Sequence, residues 1–405
     1  MKILWLSHLI PYPPKGGVLQ RSFHLIREVS RTNTIYLIAF NQRSLLRPGP
    51  QLESAVSALT QYCHAIEVVR LPSDRTRLSK HFLAFKSLFT PNSYTVNWNY
   101  SPEMNERVLK AINSFHPDLL HYDTLGMAQY LQSQSRIPQV LNHHNIESAM
   151  MFRRAKNEVC PAKKLYFLQE AIKIQTYEKR VSTLISCNIA VSEEDASTLQ
   201  TIVPAAKIAV IPNGVDTSYF SRQTALPHGE TLIFAGGLNW YPNSDAMVYF
   251  SDKIWPLLKK RRPMIRLVVI GQSPPKKLLN LSRKDPNFVL TGYVDDVRPY
   301  FEQATVYVCP IRDGGGTRLK ILDALSFGIP IVASSTAVEG IRVTNHKDIL
   351  IADTPEEFAN AVLRLLDNRE LRTQIALHGR LLVKQLYDWK IIGEKLRNLY
   401  SALVD

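Results

Sequence analysis

The 405-residue chain has few cysteines, and none of the four lies in a C-x-x-C pair or beside clustered histidines. Disulfide frameworks and zinc sites require such spacings, so the sequence argues against both. Dispersed, free cysteines are typical of a reducing compartment, and we expect a cytoplasmic protein. The cysteines are Cys63, Cys160, Cys187 and Cys309.

Long apolar runs are missing as well. No stretch reaches the roughly 20 apolar residues that a membrane-spanning helix needs. The apolar start of the chain has some features of a signal peptide. However, Ser7 and His8 interrupt it, and a proline-rich segment follows without a small-residue cleavage site. A buried first strand explains this segment better than a leader does.

Acidic residues are fewer than basic residues, which gives a net charge of +14 and a pI of about 9.5. This balance suggests an anionic partner, such as nucleic acid, anionic lipid or a phosphorylated substrate. The chain lacks the aromatic-interleaved basic stripe, zinc spacing and recognition helix of nucleic-acid-binding proteins, so we expect no nucleic-acid partner. It also lacks G-x-G-x-x-G after the first strand, which argues against a dehydrogenase.

What the chain does contain is a regular alternation of short apolar runs and helical patterns. This alternation predicts an α/β protein of two doubly wound parallel sheets with a cleft between the domains. We place an N-terminal domain at residues 1–212, a C-terminal domain at 213–385, and a helix at 386–405 that returns to the N-terminal domain. The predicted strands are Lys2–Leu9, Thr34–Phe40, Ala65–Leu71, Leu119–Tyr122, Gln139–Asn142, Asn188–Val191, Leu232–Ala235, Arg266–Ile270, Phe288–Thr291, Val306–Pro310, Ile331–Ser334 and Ile349–Ile351.

Residues 304–340 carry the strongest functional signal. A predicted strand leads into three glycines, and a helix is expected to begin near Thr317. Glycines at the carboxyl end of a parallel strand let the backbone approach a ligand, and a helix start favours phosphate. Three glycines alone would predict a tight turn about as well. They are Gly314, Gly315 and Gly316.

The helix that follows adds side chains suited to a nucleoside diphosphate. Arg318 lies in its expected first turn, and Lys320 and Asp323 share a face because they are three residues apart. Cations suit a diphosphate, and a carboxylate one turn further on can accept hydrogen bonds from two vicinal hydroxyls. The alternative is a surface Lys–Asp pair worth roughly 0.3 kcal/mol. The strand–glycine–helix setting favours the ligand site.

This segment resembles the donor-binding region of retaining GT-B glycosyltransferases of family 4, the group 1 glycosyl transferases, in the subgroup with the motif G-G-G-T-R-[LI]-K-x-L-E-A. The resemblance covers nearly the whole chain and is strongest over residues 286–352. Two stretches are similar to exopolysaccharide sugar transferases in particular, namely Gly236–Asn243 and His144–Glu147. Further matching stretches are Ile211–Asp216, Gly292–Arg298, and the glycine loop Pro13–Gly17 with Arg21.

The resemblance implies a GT-B fold, with two Rossmann-like domains facing a central cleft. It implies a nucleotide diphosphate sugar bound by the C-terminal domain and an acceptor, a growing polysaccharide or lipid-linked glycan, on the N-terminal domain. Transfer would proceed with retention, without a cofactor or obligatory metal, because helix dipole and basic side chains neutralise the leaving diphosphate. The donor-binding residues so implied are Gly16, Gly17, Gly314, Gly315, Gly316, Thr317, Arg318, Lys320 and Asp323.

Two departures from the family pattern bear on this site. Family members usually carry two glutamates eight residues apart, but here the second is Asp323 and the first falls on Gly315. The loop Gly236–Asn239 lacks the basic residue that many members place on the diphosphate. We therefore assign the catalytic neutralisation of the leaving group to Arg318 and Lys320.

The resemblance also implies a reacting centre on the N-terminal domain. Family members often carry a histidine at the end of a strand close to the donor sugar, and His144 is its counterpart. A neutral imidazole could hydrogen-bond a sugar hydroxyl or the acceptor. We expect Asp123 to contact the incoming hydroxyl and Glu147 to act as an orienting partner. The alternatives are a strand-end cap for His144, a first-turn carboxylate for Glu147, and a simple turn for Gly16 and Gly17.

Two other functions stay open on this fold. A GT-B-type sugar-nucleotide epimerase would share donor binding, although it lacks the G-G-G-T-R-L-K segment. A catalytically degenerate module that only binds a sugar nucleotide would explain the absence of the first family glutamate. A product assay separates these alternatives from a transferase.

Residues 152–185 combine basic and apolar side chains at helical spacing, and Arg70–Phe89 is a second such stretch. A basic amphipathic surface binds anionic lipid, which predicts a peripheral position on the inner face of the membrane. The alternative is that the apolar stripe packs on the domain core. The basic residues are Arg153, Arg154, Lys156, Lys163, Lys164, Lys173, Lys179 and Arg180, and the apolar ones are Leu165, Leu168, Ile172 and Val181.

Overall fold

The computed structural model describes residues 1–43, 45–74, 76–132, 136–314 and 316–404. The chain divides into two compact units. The first comprises Met1–Pro212 together with the segment from Ile392 onward, and the second comprises Asn213–Ile391. Each unit is built on its own parallel sheet, and buried aliphatic and aromatic side chains form its core.

The first unit contains seven parallel strands in the order β3-β2-β1-β4-β5-β6-β7. The strands are β1 Lys2–Ser7, β2 Thr34–Asn41, β3 Ala65–Arg70, β4 Leu119–Asp123, β5 Gln139–Asn142, β6 Cys187–Ala190 and β7 Ile208–Val210. The helices are α1 Gly17–Val29, α2 Pro50–Leu59, α3 Arg77–Leu88, α4 Tyr94–Trp98, α5 Pro102–Phe115, α6 Glu147–Asn157, α7 Pro161–Ser182 and α8 Glu193–Ile202.

The second unit contains six parallel strands in the order β10-β9-β8-β11-β12-β13. The strands are β8 Thr231–Ala235, β9 Arg266–Ile270, β10 Phe288–Gly292, β11 Val306–Cys309, β12 Ile331–Ala333 and β13 Leu350–Ile351. The helices are α9 Tyr241–Tyr249, α10 Trp255–Arg261, α11 Lys276–Lys284, α12 Arg298–Gln303, α13 Leu319–Phe327, α14 Pro355–Asp367 and α15 Arg369–Leu386. The last helix of the chain is α16, Trp389–Val404.

The prediction of two doubly wound parallel sheets is confirmed. All twelve predicted strands are present with ends shifted by at most two residues, whereas β7 was not predicted. It is short, and its three residues are only half-buried, so its apolar signal is weak. The side chain of Ser101 caps α5, and Thr354 and Glu357 form a capping box at the start of α14, because polar side chains here satisfy otherwise unpaired N–H groups.

Each sheet reverses its winding direction at one point. This point lies between β1 and β4 in the first unit, and between β8 and β11 in the second. In open α/β sheets, ligands bind in the crevice outside the carboxyl ends of the strands at such a point. The register pairs Ser7 with Asp123 at the carboxyl ends of β1 and β4. The topology thus marks one candidate ligand site in each unit.

Helix α16 packs tightly against α1 within the first unit. Gly393 lies so close to the fully buried Glu28 that an added Cβ would overlap the Cβ of Glu28. Arg397 Nη1 donates a hydrogen bond of 2.6 Å to the Glu28 carbonyl oxygen. The Tyr400 hydroxyl lies 2.6 Å from Nδ1 of His121, a buried residue of β4. The end of the chain therefore supports the strand that carries Asp123.

We expect Gly393→Ala to destabilise the first unit by about 1–3 kcal/mol, because an extra methyl in a closed helix contact forces the helices apart. Urea unfolding measures the loss. Ser401→Ala, at an exposed position of the same helix, is the matched control and should leave stability within about 0.5 kcal/mol. Equal stability of both variants would contradict the tight contact.

Candidate active site

In the second unit, the glycine loop follows β11 at the point where the sheet reverses. Gly314 and Gly316 have φ angles of 118° and 72°, which side-chain-bearing residues rarely adopt. Gly315 lies outside the described residues. Helix α13 begins at Leu319, with Arg318 as its N-cap. This corrects the expected start near Thr317 and places Arg318 just outside the helix rather than in its first turn.

Arg318 and Thr317 directly follow the glycine loop in the chain. Arg318 is buried, and its Nη1 donates a hydrogen bond to the Gly316 carbonyl oxygen. The Thr317 hydroxyl oxygen is buried and finds no hydrogen-bond partner among the described residues. A buried hydroxyl without a partner costs about 1–3 kcal/mol. A ligand that hydrogen-bonds this hydroxyl would recover that energy.

Lys320 brings its ammonium group to the loop that follows β8. Its Nζ donates to Asn243 Oδ1 and lies 4.6 Å from the centre of the Phe234 ring. A Cβ added to Gly236 would lie only 2.5 Å from this Nζ. Burial lowers the pKa of Lys320 to about 8, and the nearby Arg318 acts in the same direction. An anion in this crevice would stabilise the charged form of Lys320.

Asp323 lies one turn after Lys320 and is half-buried. Burial raises the pKa of Asp323 to about 8, against the opposing effect of Lys320. Asp323 makes no hydrogen bond to a residue that the structure describes, and it forms no ion pair with Lys320. The alternative of a surface Lys–Asp pair is therefore wrong. The two side chains therefore lie near the start of α13 without being paired to each other.

In the first unit, Asp123 ends β4 and is fully buried. Its Oδ1 accepts hydrogen bonds from Asn142 Nδ2 at 2.7 Å and from His144 Nε2 at 2.8 Å. Its Oδ2 accepts from Ser22 Oγ at 2.5 Å, with Ser7 Oγ at 3.5 Å. Burial disfavours the carboxylate, but the electrostatic interaction and hydrogen bond with His144, together with the hydrogen bond from Ser22, outweigh it and hold the pKa of Asp123 well below its ordinary value.

The contact to Asp123 determines which nitrogen of His144 carries a proton. An ionised carboxylate only accepts hydrogen bonds, so His144 Nε2 must donate and Nδ1 is left as an acceptor. The expected direct contact between Asp123 and an incoming hydroxyl is corrected, because Asp123 offers no exposed surface. Asp123 instead positions His144.

Helix α1 contributes hydrogen bonds to the residues around Asp123 and His144. Its residue Arg21 is buried and donates through Nε and Nη2 to Asn142 Oδ1, at 3.2 and 2.9 Å. Arg21 also donates to the carbonyl oxygens of Ile211 and Pro212. Gly16, with a φ angle of 95°, is the N-cap of α1 and provides no side-chain cap. Gly16 and Gly17 are exposed, so the helix start is open to an anion.

Three further residues contact this centre although the sequence did not single them out, namely His8, Ser22 and Asn142. His8 Nδ1 lies 3.2 Å from the Asp123 carbonyl oxygen, and the His8 ring centre is 6.2 Å from that of His144. Burial is the main cause that lowers the pKa of His8 to about 4, so its ring is neutral. The position of His8 directly after β1 was the available signal, because β1 and β4 are neighbours in this fold class.

Glu147 does not orient His144 in this structure. It is the first residue of α6, and no hydrogen bond joins it to His144. Burial and the neighbouring Glu178 raise the pKa of Glu147 to about 8. The orienting role expected of Glu147 falls to Asp123.

Two family models match the chain. "Glycosyltransferase Family 4" matches residues 52–219, and "Glycosyl transferases group 1" matches residues 229–368. The chain is 26% identical, over 55% of its length and 61% of the relative, to a GDP-mannose:cellobiosyl-diphosphopolyprenol alpha-mannosyltransferase of Xanthomonas oryzae. Such matches span less than two thirds of the length of the curated relatives.

Solved structures resemble the whole chain. Sucrose-phosphate synthase of Thermosynechococcus elongatus matches with a TM-score of 0.73 and 17% identity, over 100% of this chain and 99% of that one. HepE of Anabaena in complex with UDP matches with a TM-score of 0.69 and 15% identity, over 100% of both chains. At these identities the likeness shows the fold.

Proposed function

Because the chain belongs to the family 4, or group 1, glycosyltransferases, we propose that it transfers a sugar from a nucleoside diphosphate donor to a glycan or lipid-linked acceptor with retention of configuration. The fold is of the GT-B type. Retention rests on the family resemblance. The observation that carries the proposal is the half-buried Lys320, which lies at the switch point of the second sheet together with the glycine loop and the half-buried Asp323.

In the proposed donor complex, the diphosphate lies over the glycine loop. Lys320 and Arg318 neutralise it, and the start of α13 adds its positive dipole end. This arrangement supports leaving-group departure without an obligatory metal. Asp323 accepts hydrogen bonds from the ribose hydroxyls. The complex of HepE with UDP supports a nucleoside diphosphate as the ligand class.

The proposed role of the first unit is to hold the acceptor and the reacting hydroxyl. His144 presents Nδ1 as a hydrogen-bond acceptor, and the buried Asp123 stabilises the imidazolium that forms if Nδ1 takes a proton. The open start of α1 at Gly16 and Gly17 adds N–H groups for a phosphate. The polyprenol-linked acceptor named for the Xanthomonas relative supports a lipid-linked glycan.

We expect Asp323→Ala to weaken nucleotide binding by about one to two orders of magnitude, since it removes the acceptor of two ribose hydroxyl hydrogen bonds, each worth about 0.5–1.5 kcal/mol. Calorimetric titration of the preferred nucleoside diphosphate measures the change. Asp367→Ala, an acidic position on α14 whose carboxylate pairs with Arg262, is the control and should not alter affinity. Unchanged affinity for Asp323→Ala would remove this residue from the donor site.

A thermal-shift panel of UDP, GDP, ADP and their sugars identifies the donor, because a ligand that binds the folded state raises its melting temperature. The anomeric configuration of the product, read by NMR, then tests retention, and chelator treatment tests metal independence. Donor binding without transfer or hydrolysis would support a degenerate binding module instead. Conversion of the free sugar nucleotide into its epimer would overturn transfer as the activity.

A further inference from the structure

Helix α7 has two apolar faces, and only one of them packs against the core. Phe167, Ala171, Ile174 and Tyr177 are buried, as is Val181 from the predicted stripe. The other residues of that stripe are exposed. Their exposed fractions are 69% for Leu165, 40% for Leu168 and 53% for Ile172. The sequence-based alternative, packing of the whole stripe on the core, is therefore wrong for these three residues.

Helix α3 exposes a second apolar row. Phe82 and Phe85 on α3 and Phe89 at its C-cap are 62–77% exposed. Their spacings of three and four residues place them in one row along the helix and its end. The ring centres of Phe85 and Phe89 are 5.3 Å apart. Three exposed phenylalanines in one row are unusual on a surface that only faces water, since each exposes a large apolar area.

Hydrogen bonds hold the two rows side by side. Gln169 Nε2 on α7 donates to the Leu88 carbonyl oxygen at 2.9 Å. Lys173 Nζ donates to the carbonyl oxygens of Ser87 and Leu88, at 2.6 and 3.2 Å. These contacts fix the carboxyl end of α3 against the middle of α7. We call the joined surface the aromatic–basic patch, comprising Phe82, Phe85, Phe89, Leu165, Leu168, Ile172, Lys86, Lys163 and Lys164.

The exposed charge around the apolar rows is positive. Lys86, Lys163 and Lys164 are exposed and form no ion pair with a residue that the structure describes. The two acidic residues of α7, Glu170 and Glu178, are buried, and α3 contains none. A symmetric contact between two copies of the patch would bring like charges together, which disfavours self-association.

These observations point to an anionic bilayer surface. Exposed aromatic and aliphatic side chains insert shallowly below the headgroups, while lysines at the rim attract anionic lipid. In the part of the chain that the structure describes, no helix is both long and apolar enough to cross a membrane. We propose that the aromatic–basic patch docks the first unit on an anionic membrane, with the phenylalanines of α3 as the inserting element. The link to a lipid-linked acceptor rests on the proposed function, whereas the docking itself does not.

Vesicle co-sedimentation of the full chain tests the proposal. Two vesicle types are compared, phosphatidylcholine alone and phosphatidylcholine with phosphatidylglycerol. We expect binding to require phosphatidylglycerol and to weaken as salt rises. Two triple variants should each lower the partition coefficient by about tenfold or more. One is Phe82→Ser, Phe85→Ser, Phe89→Ser, and the other is Lys86→Glu, Lys163→Glu, Lys164→Glu.

Two matched triple variants outside the patch serve as controls. One removes exposed apolar side chains and the other changes the net charge, both at positions away from the patch. Met264→Ser, Leu377→Ser, Leu381→Ser removes exposed apolar side chains, and Lys260→Glu, Lys276→Glu, Lys395→Glu makes the same change in net charge. Both should bind vesicles within about twofold of the natural sequence.

Three results would overturn the proposal. The first is equal binding to neutral and anionic vesicles, and the second is an equal loss in patch and control variants. The third is self-association that the phenylalanine variant abolishes, with no vesicle binding, which would assign the patch to a second copy of the chain. Donor hydrolysis in solution is measured in parallel. Vesicle binding without any donor turnover would contradict the proposed function alone. Donor turnover without vesicle binding is a fourth result against the docking surface, and it would leave the proposed function intact.

Discussion

Asp123→Asn should lower the transfer rate by about 10²–10⁴-fold, the range that a positioned acid–base group contributes. The amide has nearly the shape of the carboxylate. Its oxygen can still accept from Asn142 and His144, and its NH₂ group can donate to Ser22 and Ser7, which also act as acceptors. The fold should therefore survive, while the negative charge that stabilises an imidazolium at His144 is lost.

The division of the loss between kcat and KM separates this positioning role from a purely structural one. We expect kcat to fall in Asp123→Asn while KM for the donor stays nearly unchanged, because the carboxylate stabilises a charge that develops at His144 only in the transition state. Glu28→Gln alters another fully buried carboxylate of the same unit and is the control. It should reduce stability in urea but leave kcat and KM unchanged. A rate within a few-fold of the natural sequence for Asp123→Asn would contradict the role of the His144–Asp123 pair.

Lys320→Met should reduce turnover by about 10²–10³-fold, as expected when one preorganised electrostatic contact to a developing charge is removed. The loss should be larger in kcat than in donor affinity, because the charge on the leaving diphosphate grows towards the transition state. Lys260→Met, on the exposed side of α10, is the matched control. A nearly natural kcat in Lys320→Met would show that another group neutralises the charge on the leaving diphosphate.

The same lysine predicts how nucleotide affinity depends on pH. Lys320 and Asp323 both have a pKa of about 8, so raising the pH through this value removes a positive charge and adds a negative one. Both changes disfavour an anionic ligand. The dissociation constant of a nucleoside diphosphate should thus rise above pH 8, by up to about tenfold per pH unit for each proton lost. Lys320→Met should show a shallower rise in a calorimetric titration series.

The sequence brought the residues of the proposed donor site together better than those of the proposed reacting centre, and the reason is physical. Gly314, Lys320 and Asp323 belong to one strand–loop–helix segment, so local spacing already brings them together. The reach of Lys320 to Gly236 depends on the neighbouring β8, and no local pattern reveals it. In the first unit, His144 and Asp123 were predicted separately as contacts to substrate. Their mutual hydrogen bond requires the register of β4 beside β5. Both strands are buried on both faces, so they lack the apolar–polar alternation that would specify this register.

The residues that support the proposed reacting centre could not be predicted from the sequence, for a similar reason. Ser22 and Asn142 are ordinary polar residues in sequence. Ser22 reaches Asp123 because α1 packs against the sheet, and Asn142 reaches it because β5 pairs with β4. His8 was interpreted merely as an interruption of an apolar run. The exposure of Phe82, Phe85 and Phe89 was equally hidden, because an apolar helix row looks the same in sequence whether it faces a core or a solvent.

The contact between Tyr400 and His121 has a consequence for the order in which the two units can complete their folding during synthesis. Translation delivers residues 1–212 first, yet the buried face of β4 at His121 stays uncovered until the last helix leaves the ribosome. The second unit is contiguous in sequence, so it can complete its folding before the first unit has received its last helix. The nascent first unit is therefore expected to be the chaperone-dependent stage of biogenesis, although it is made earlier.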